Sequence, residues 1–133
     1  MKSMQYYLIG FFLVLSTSFV TTVTAEETTR ELNGSQITYH YSSGRAYNVK
    51  FEEQGLSYRY LTGSKPDTWW GPFPYQAIKL TNEQYFLSWF EKGYGDYVTL
   101  LVNYKNNTVH GSAILRGEEV HFHAAELVKF ERP

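Results

Sequence analysis

The sequence predicts an all-β domain, an eight-stranded antiparallel up-and-down barrel, and three observations lead there. Aromatic residues make up 18% of the chain, twelve of them tyrosines, and large rings favour strands. From Gln36 onward the chain breaks into short runs of alternating apolar and polar residues, the period of a half-buried strand. The segments between those runs are hairpin-length and rich in turn-forming residues, and no segment carries a helical stripe over three turns.

The first 25 residues stand apart from this pattern. Lys2 and the free amine give a weakly positive start, and a ten-residue apolar run follows from Tyr6 to Leu15. A membrane span needs about 20 such residues. The short run fits a cleavable signal peptide, with Val23-Thr24-Ala25 supplying small residues at the cleavage point; the alternative is a retained anchor. Residues 1–25 are therefore expected to be a signal peptide and the remainder a secreted or periplasmic protein, free of the membrane after cleavage. That remainder, 26–133, is one domain's worth of chain. It holds eleven Lys and Arg against thirteen Asp and Glu, a net charge of −2. This argues against nucleic acid or an anionic membrane as partner, since either selects a basic patch. There is no cysteine, which excludes disulfides, a thiol nucleophile and a lipid-modified cysteine.

Residues 26–35 are polar and charged and read as a flexible N-terminal arm. Strands are predicted at 36–41, 46–52, 56–61, 76–80, 84–90, 97–104, 108–115 and 120–128, making 36–133 the barrel domain. Closure removes the exposed edges an open sheet would leave, and eight strands enclose room for side chains or one small ligand. A two-sheet sandwich is the alternative. One connection is long: residues 63–74 read GSKPDTWWGPFP, with three prolines and two glycines. That composition predicts neither strand nor helix. Its rings, Trp69, Trp70 and Phe73, either plug one end of the barrel or form a lid over a pocket mouth.

Side chains two apart on a strand share a face. On that basis Tyr39 and Tyr41 point one way, as do Tyr47, Val49 and Phe51, then Leu56, Tyr58 and Tyr60, and then Tyr85, Leu87, Trp89 and Glu91. If these faces line the interior, the barrel encloses a tyrosine-walled pocket for a small aromatic or apolar ligand, with Tyr39, Tyr41, Tyr47, Tyr58, Trp69, Trp89 and Glu91 as its contacts. Glu91 would then be a desolvated acid with a raised pKa. The simpler reading leaves it solvated in the turn before Lys92. Phe86 and Phe90 fall on the outer face, a pattern consistent with a homodimer interface or a cover for the terminal segment. His121 and His123 also share a face and offer two zinc ligands, for which His110 is a candidate third. Outward-facing histidines are commoner on strands, so neither a metal nor a cofactor is expected. Sequons occur at Asn33 and Asn106, which matter only in a glycosylating secretory pathway.

The segment ITYHYSSGRAYNVKF resembles the start of bacterial phenolic acid decarboxylases, whose Y-x-Y-x-x-G-x-x-Y signature is matched by Tyr39, Tyr41, Gly44 and Tyr47. The segment AIKLTNEQYFLSWFEKGYGDYVTL is similar to that family's W-x-E region, and the likeness continues to Val109-His110-Gly111. The chain also resembles MoaF-like domains, which favour a run such as Tyr75-Gln76-Ala77-Ile78. Both resemblances imply the lipocalin-like, or calycin, barrel. The decarboxylase resemblance implies that Tyr39 and Tyr41 hold a substrate carboxylate, and that Glu91 with a loop arginine handles the phenol end and proton transfer, without a cofactor. Glu91, Tyr39 and Tyr41 are thus the catalytic candidates. The loop arginine is missing: Thr68 stands where the resemblance places it, and Arg45 and Arg59 lie elsewhere in the sequence. Three functions remain open: a non-catalytic binding barrel, a phenolic acid decarboxylase, and a structural or interaction domain.

Overall fold

The computed structural model describes residues 26–133; the expected leader, 1–25, lies outside them. Alternating patterning becomes nine strands: β1 (Gln36–Tyr41), β2 (Ala46–Glu52), β3 (Gly55–Tyr60), β4 (Trp69–Phe73), β5 (Tyr75–Thr81), β6 (Gln84–Glu91), β7 (Asp96–Asn103), β8 (Thr108–Leu115) and β9 (Glu119–Glu131). They form one antiparallel sheet in the order β4-β3-β2-β1-β9-β8-β7-β6-β5. Chain neighbours are sheet neighbours throughout, and β1 pairs with β9 to roll the sheet up. The edges β4 and β5 are joined by Pro74 alone, and β4 also touches β6. The result is a nearly closed up-and-down barrel, with nine strands rather than eight.

The additional strand is β4, inside the segment whose composition argued against one. It survives because an edge strand needs hydrogen bonds on one side only, and proline is tolerated at edges and bulges. Leu56 pairs with Phe73 and Tyr58 with Trp70, and the register shifts between them, opposite Gly71 and Pro72. Gly71 has φ +111, and a β-carbon there would lie 2.7 Å from the Leu56 carbonyl oxygen. Only glycine fits that approach.

Residues 29–35, expected as a flexible arm, pack across the end of the barrel. The Thr29 amide donates to the Ala77 carbonyl on β5, while the Gly34 amide donates to Phe51 on β2 and the Phe51 amide to Ser35. Leu32 is buried between these anchors. The Tyr75 hydroxyl donates to the Asn33 side chain, and Tyr85 donates to Glu31, which also pairs with Lys79. The segment therefore spans the seam between the two halves of the sheet.

Inside, the barrel changes character along its length. One end is filled by Ile37, Val49, Phe51, Leu56, Leu87, Leu100, Val102, Val109 and Leu127, all buried. Further along the same strands, the inward positions carry Tyr39, Tyr47, Tyr58 and Trp89 on one side and Val98, Gly111, Ala113 and Ala125 on the other. Large rings thus face small side chains, and the space between them is not filled.

Candidate functional site

That unfilled space is a hollow of about 680 Å³. Its wall includes Tyr39, Tyr41, Tyr47, Tyr58, Tyr60 and Trp89, with Glu91 and Asp96 at one place and Arg45, His121 and His123 at another. Six of the seven residues expected to contact a ligand are therefore brought together. The seventh, Trp69, is not. It pairs with Arg59 on the outer face, is 38% exposed, and stacks under the Lys50 ammonium and the Arg59 guanidinium. Counting a loop by composition hid the strand, and with it the alternation that turns Trp69 out and Trp70 in. Trp70 sits edge-on to Tyr94, and its indole N–H is buried without a partner.

The tyrosines form one continuous cluster. Tyr39 stacks on Tyr47 at 5.5 Å, Tyr41 meets both edge-on, and Tyr47 continues to Tyr58 and Tyr60. Burial is the first cause that raises the pKa of Tyr39, Tyr41, Tyr47 and Tyr58, so at neutral pH each presents a protonated hydroxyl. The wall is apolar in its rings and hydrogen-bonding at their tips.

Glu91 is not in the solvated turn. It is the last residue of β6, on the same face as Trp89, and only 4% exposed. The Trp89 indole N–H donates to its Oε1 at 2.9 Å, and the Tyr58 hydroxyl donates to its Oε2 at 3.1 Å. Burial lifts its carboxyl above the usual glutamate range, and the two hydrogen bonds pull the other way. Asp96, its partner across β6 and β7, adds to the upward push. An acid so held is fixed in place at the wall of the hollow.

The histidines are on the hollow's face of β9, against the expectation that they face out, with His123 half-buried and His121 exposed at the rim. His121, Phe122 and His123 all border the hollow, but the apolar alternates Val120 and Phe122 are turned to solvent, Phe122 being 86% exposed. Register decides this. Leu127 and Ala125 are fixed inward opposite Tyr39 and Val109, and counting back by twos brings His123 and His121 inward as well. Sequence hydrophobicity alone points the other way. The His123 ring lies over Gly111, where a β-carbon would come within 2.5 Å of Nε2. Nε2 is sealed there without a hydrogen-bond partner, and burial followed by the charge of His121 lowers the ring's pKa. His110 pairs beside Leu101, off this face, and among the described residues no group of three His, Cys, Asp or Glu could hold a metal.

Two arginines that the sequence set aside part company. Arg59 is outside, bonded to Asn48 and Asp67. Arg45, in the turn between β1 and β2, lines the hollow beside Tyr47, whose upward shift it opposes. Thr68 is exposed, ahead of β4.

With this geometry in view, the family comparison is informative: the model described as phenolic acid decarboxylase (PAD) matches residues 29–132. The chain belongs to the phenolic acid decarboxylase family. The match begins at Thr29, where the packed segment begins, and takes in every strand. Among solved structures, the chain is similar to a Burkholderia vietnamiensis protein whose crystal structure is provisionally described as a beta-lactamase. The TM-score is 0.63 at 15% identity, covering 78% of this chain and 97% of the other. At that identity the likeness supports the fold alone. No curated protein matches the chain.

Proposed function

We propose that this member of the decarboxylase family is an exported binding barrel for a small aromatic molecule bearing a hydroxyl. One observation carries the reading: an open, ring-walled hollow holds a single buried carboxylate, Glu91, fixed by Trp89 and Tyr58. Aromatic walls favour a planar ligand, and a fixed acid selects a hydroxyl donor. Export rests on the leader-like residues 1–25.

Glu91 also favours a second reading, cofactor-free decarboxylation of a para-hydroxycinnamate. In that reaction the phenol gives up its proton, and the alkene carbon beside the carboxylate gains one. The resulting quinone methide then breaks its bond to the carboxylate, which leaves as carbon dioxide. A raised-pKa acid and neutral tyrosine hydroxyls are suited to moving those protons. Against turnover stands the loop between β3 and β4, where the exposed Thr68 holds the position the resemblance gives to an arginine. Arg59 of β3 faces outward, and the guanidinium that lines the hollow, Arg45, comes from a different turn.

Incubating residues 26–133 with para-coumarate separates the two. The expected result is saturable quenching of tryptophan fluorescence with no loss of the coumarate absorbance. Turnover that disappears in Glu91→Gln would overturn the binding-only reading in favour of the lyase. No quenching and no turnover across a panel of phenols would defeat both.

A further inference from the structure

Of the six asparagines in the chain, only Asn33 is followed by a glycine. The pair lies in the packed N-terminal segment, and each member has a structural task there. Gly34 stands at φ +86, in the left-handed region that favours glycine, and its amide donates to the Phe51 carbonyl at 2.7 Å. The Asn33 amide donates to the Arg30 carbonyl, and its side-chain Oδ1 accepts from the Tyr75 hydroxyl on β5. The dipeptide thus sits where the segment ties β2 to β5. It is also the setting in which an asparagine is chemically least durable. The backbone nitrogen of the following residue can attack the carboxamide carbon, and glycine, having no β-carbon, obstructs that approach least. In the folded chain both reactants are engaged, the Gly34 nitrogen with Phe51 and the Asn33 carboxamide with Tyr75. Yet Gly34 is exposed and Asn33 only half-buried, so little has to move before the two groups meet in water.

We propose that Asn33 is a modification site, deamidating without an enzyme whenever residues 29–35 lift from the end of the barrel. The Gly34 nitrogen forms a bond to the Asn33 Cγ and gives up its proton. The carboxamide's own C–N bond breaks, ammonia leaves, and a five-membered imide remains. Water then opens the imide at either carbonyl, giving aspartate or the β-linked isoaspartate. The isoaspartyl form routes the main chain through Cβ and adds one atom between residues 33 and 34. The bonds from Asn33 to Arg30 and from Gly34 to Phe51 are made by consecutive amides. With the longer spacing the two cannot be kept together, so the tie to β2 stays open. Modification therefore turns a reversible local opening into a permanent one. Small exposed segments open at lower free energy than a whole fold, which makes this opening the governing step.

Peptide mass spectrometry of residues 26–133, incubated at mildly alkaline pH, tests this by following amide-to-acid conversion at Asn33. The native chain is expected to react about tenfold or more slowly than the urea-unfolded chain. Leu32→Ala, which loosens the segment's buried anchor, should recover most of that factor at Asn33 and leave the rate at Asn106, in the β7–β8 turn, unchanged. Urea held well below the unfolding midpoint should hardly alter the native rate, because a small opening exposes little surface. This second measurement needs no variant and stands even where Leu32→Ala fails to fold. In the isoaspartyl product, the Gly34 amide should lose its protection from hydrogen exchange. A native rate equal to the unfolded one overturns the proposal. So does a native rate that climbs with urea along the global unfolding curve, since the whole barrel would then have to open first. Equal acceleration of Asn106 by Leu32→Ala, or a Gly34 amide still protected in the isoaspartyl form, overturns it as well.

Discussion

The two ends of the barrel are built on the same strands and obey opposite rules. At one end every inward position is aliphatic or a fully enclosed ring, and Leu32 from the N-terminal segment is buried with them. At the other, Tyr39, Tyr47 and Tyr58 face Val98, Gly111 and Ala113, and no side chain fills the middle. The first arrangement stabilises the fold by close packing. The second leaves that contribution unmade and keeps hydroxyls, a carboxylate and imidazoles at the surface of a cavity. Sites that break local rules are where function is expected.

The sharpest way to test this division is to make the same cut at each end. Val102 and Val98 lie on one strand and point inward, the former buried and the latter at the hollow. Val102→Ala should cost about 2 kcal/mol in urea unfolding, because it opens a cavity in a filled core. Val98→Ala should cost about 1 kcal/mol or less, since its methyls already border open space. Equal losses would mean that the open end is as tightly packed as the closed one. Gly111→Ala comes next, at about 1–2 kcal/mol. The new methyl would crowd His123 Nε2 and the Thr99 carbonyl oxygen, 2.5 and 2.8 Å away. Displacement of the His123 ring resonances by NMR is the accompanying signature.

The smallest expected effect is on pH dependence. Because burial raises the Glu91 pKa in the folded state, that state holds its proton more tightly than the unfolded chain does. The stability this contributes is fully present below the ordinary glutamate value of about 4.3, and is lost as pH rises through the raised folded value. The stability of wild type relative to Glu91→Gln should therefore fall over that window. Taking the difference cancels the opposite trend of His123, whose lowered pKa removes stability as pH falls. A difference that rises with pH would show that the hydrogen bonds from Trp89 and Tyr58 outweigh burial.

Much of this was legible in the sequence because a strand's alternation is strict. Tyr39, Tyr41, Tyr47, Tyr58, Trp89 and Glu91 could be placed on common faces before any coordinates, and the barrel follows from hairpin-length turns. The misplacements have specific causes. Trp69 was misdirected because a glycine and a proline masked an edge strand that tolerates both. His121 and His123 were expected to face outward because strand histidines more commonly do; the register that puts them on the hollow's face is set further along, by Leu127. Arg45 was set aside because it lies away from the position the resemblance gives to the loop arginine; its place beside the hollow follows from the β1–β2 turn standing at the open end, a long-range arrangement with no local signal.

The packed N-terminal segment carries a last consequence. Between β4 and β5 the sheet does not zip shut, and the backbone bonds from Thr29 to Ala77 and from Gly34 to Phe51 bridge β5 to β2 instead. The folding unit therefore starts at Thr29, well ahead of the first strand. The stretch that looks most dispensable by composition serves as the barrel's latch, and trimming beyond it would free the seam.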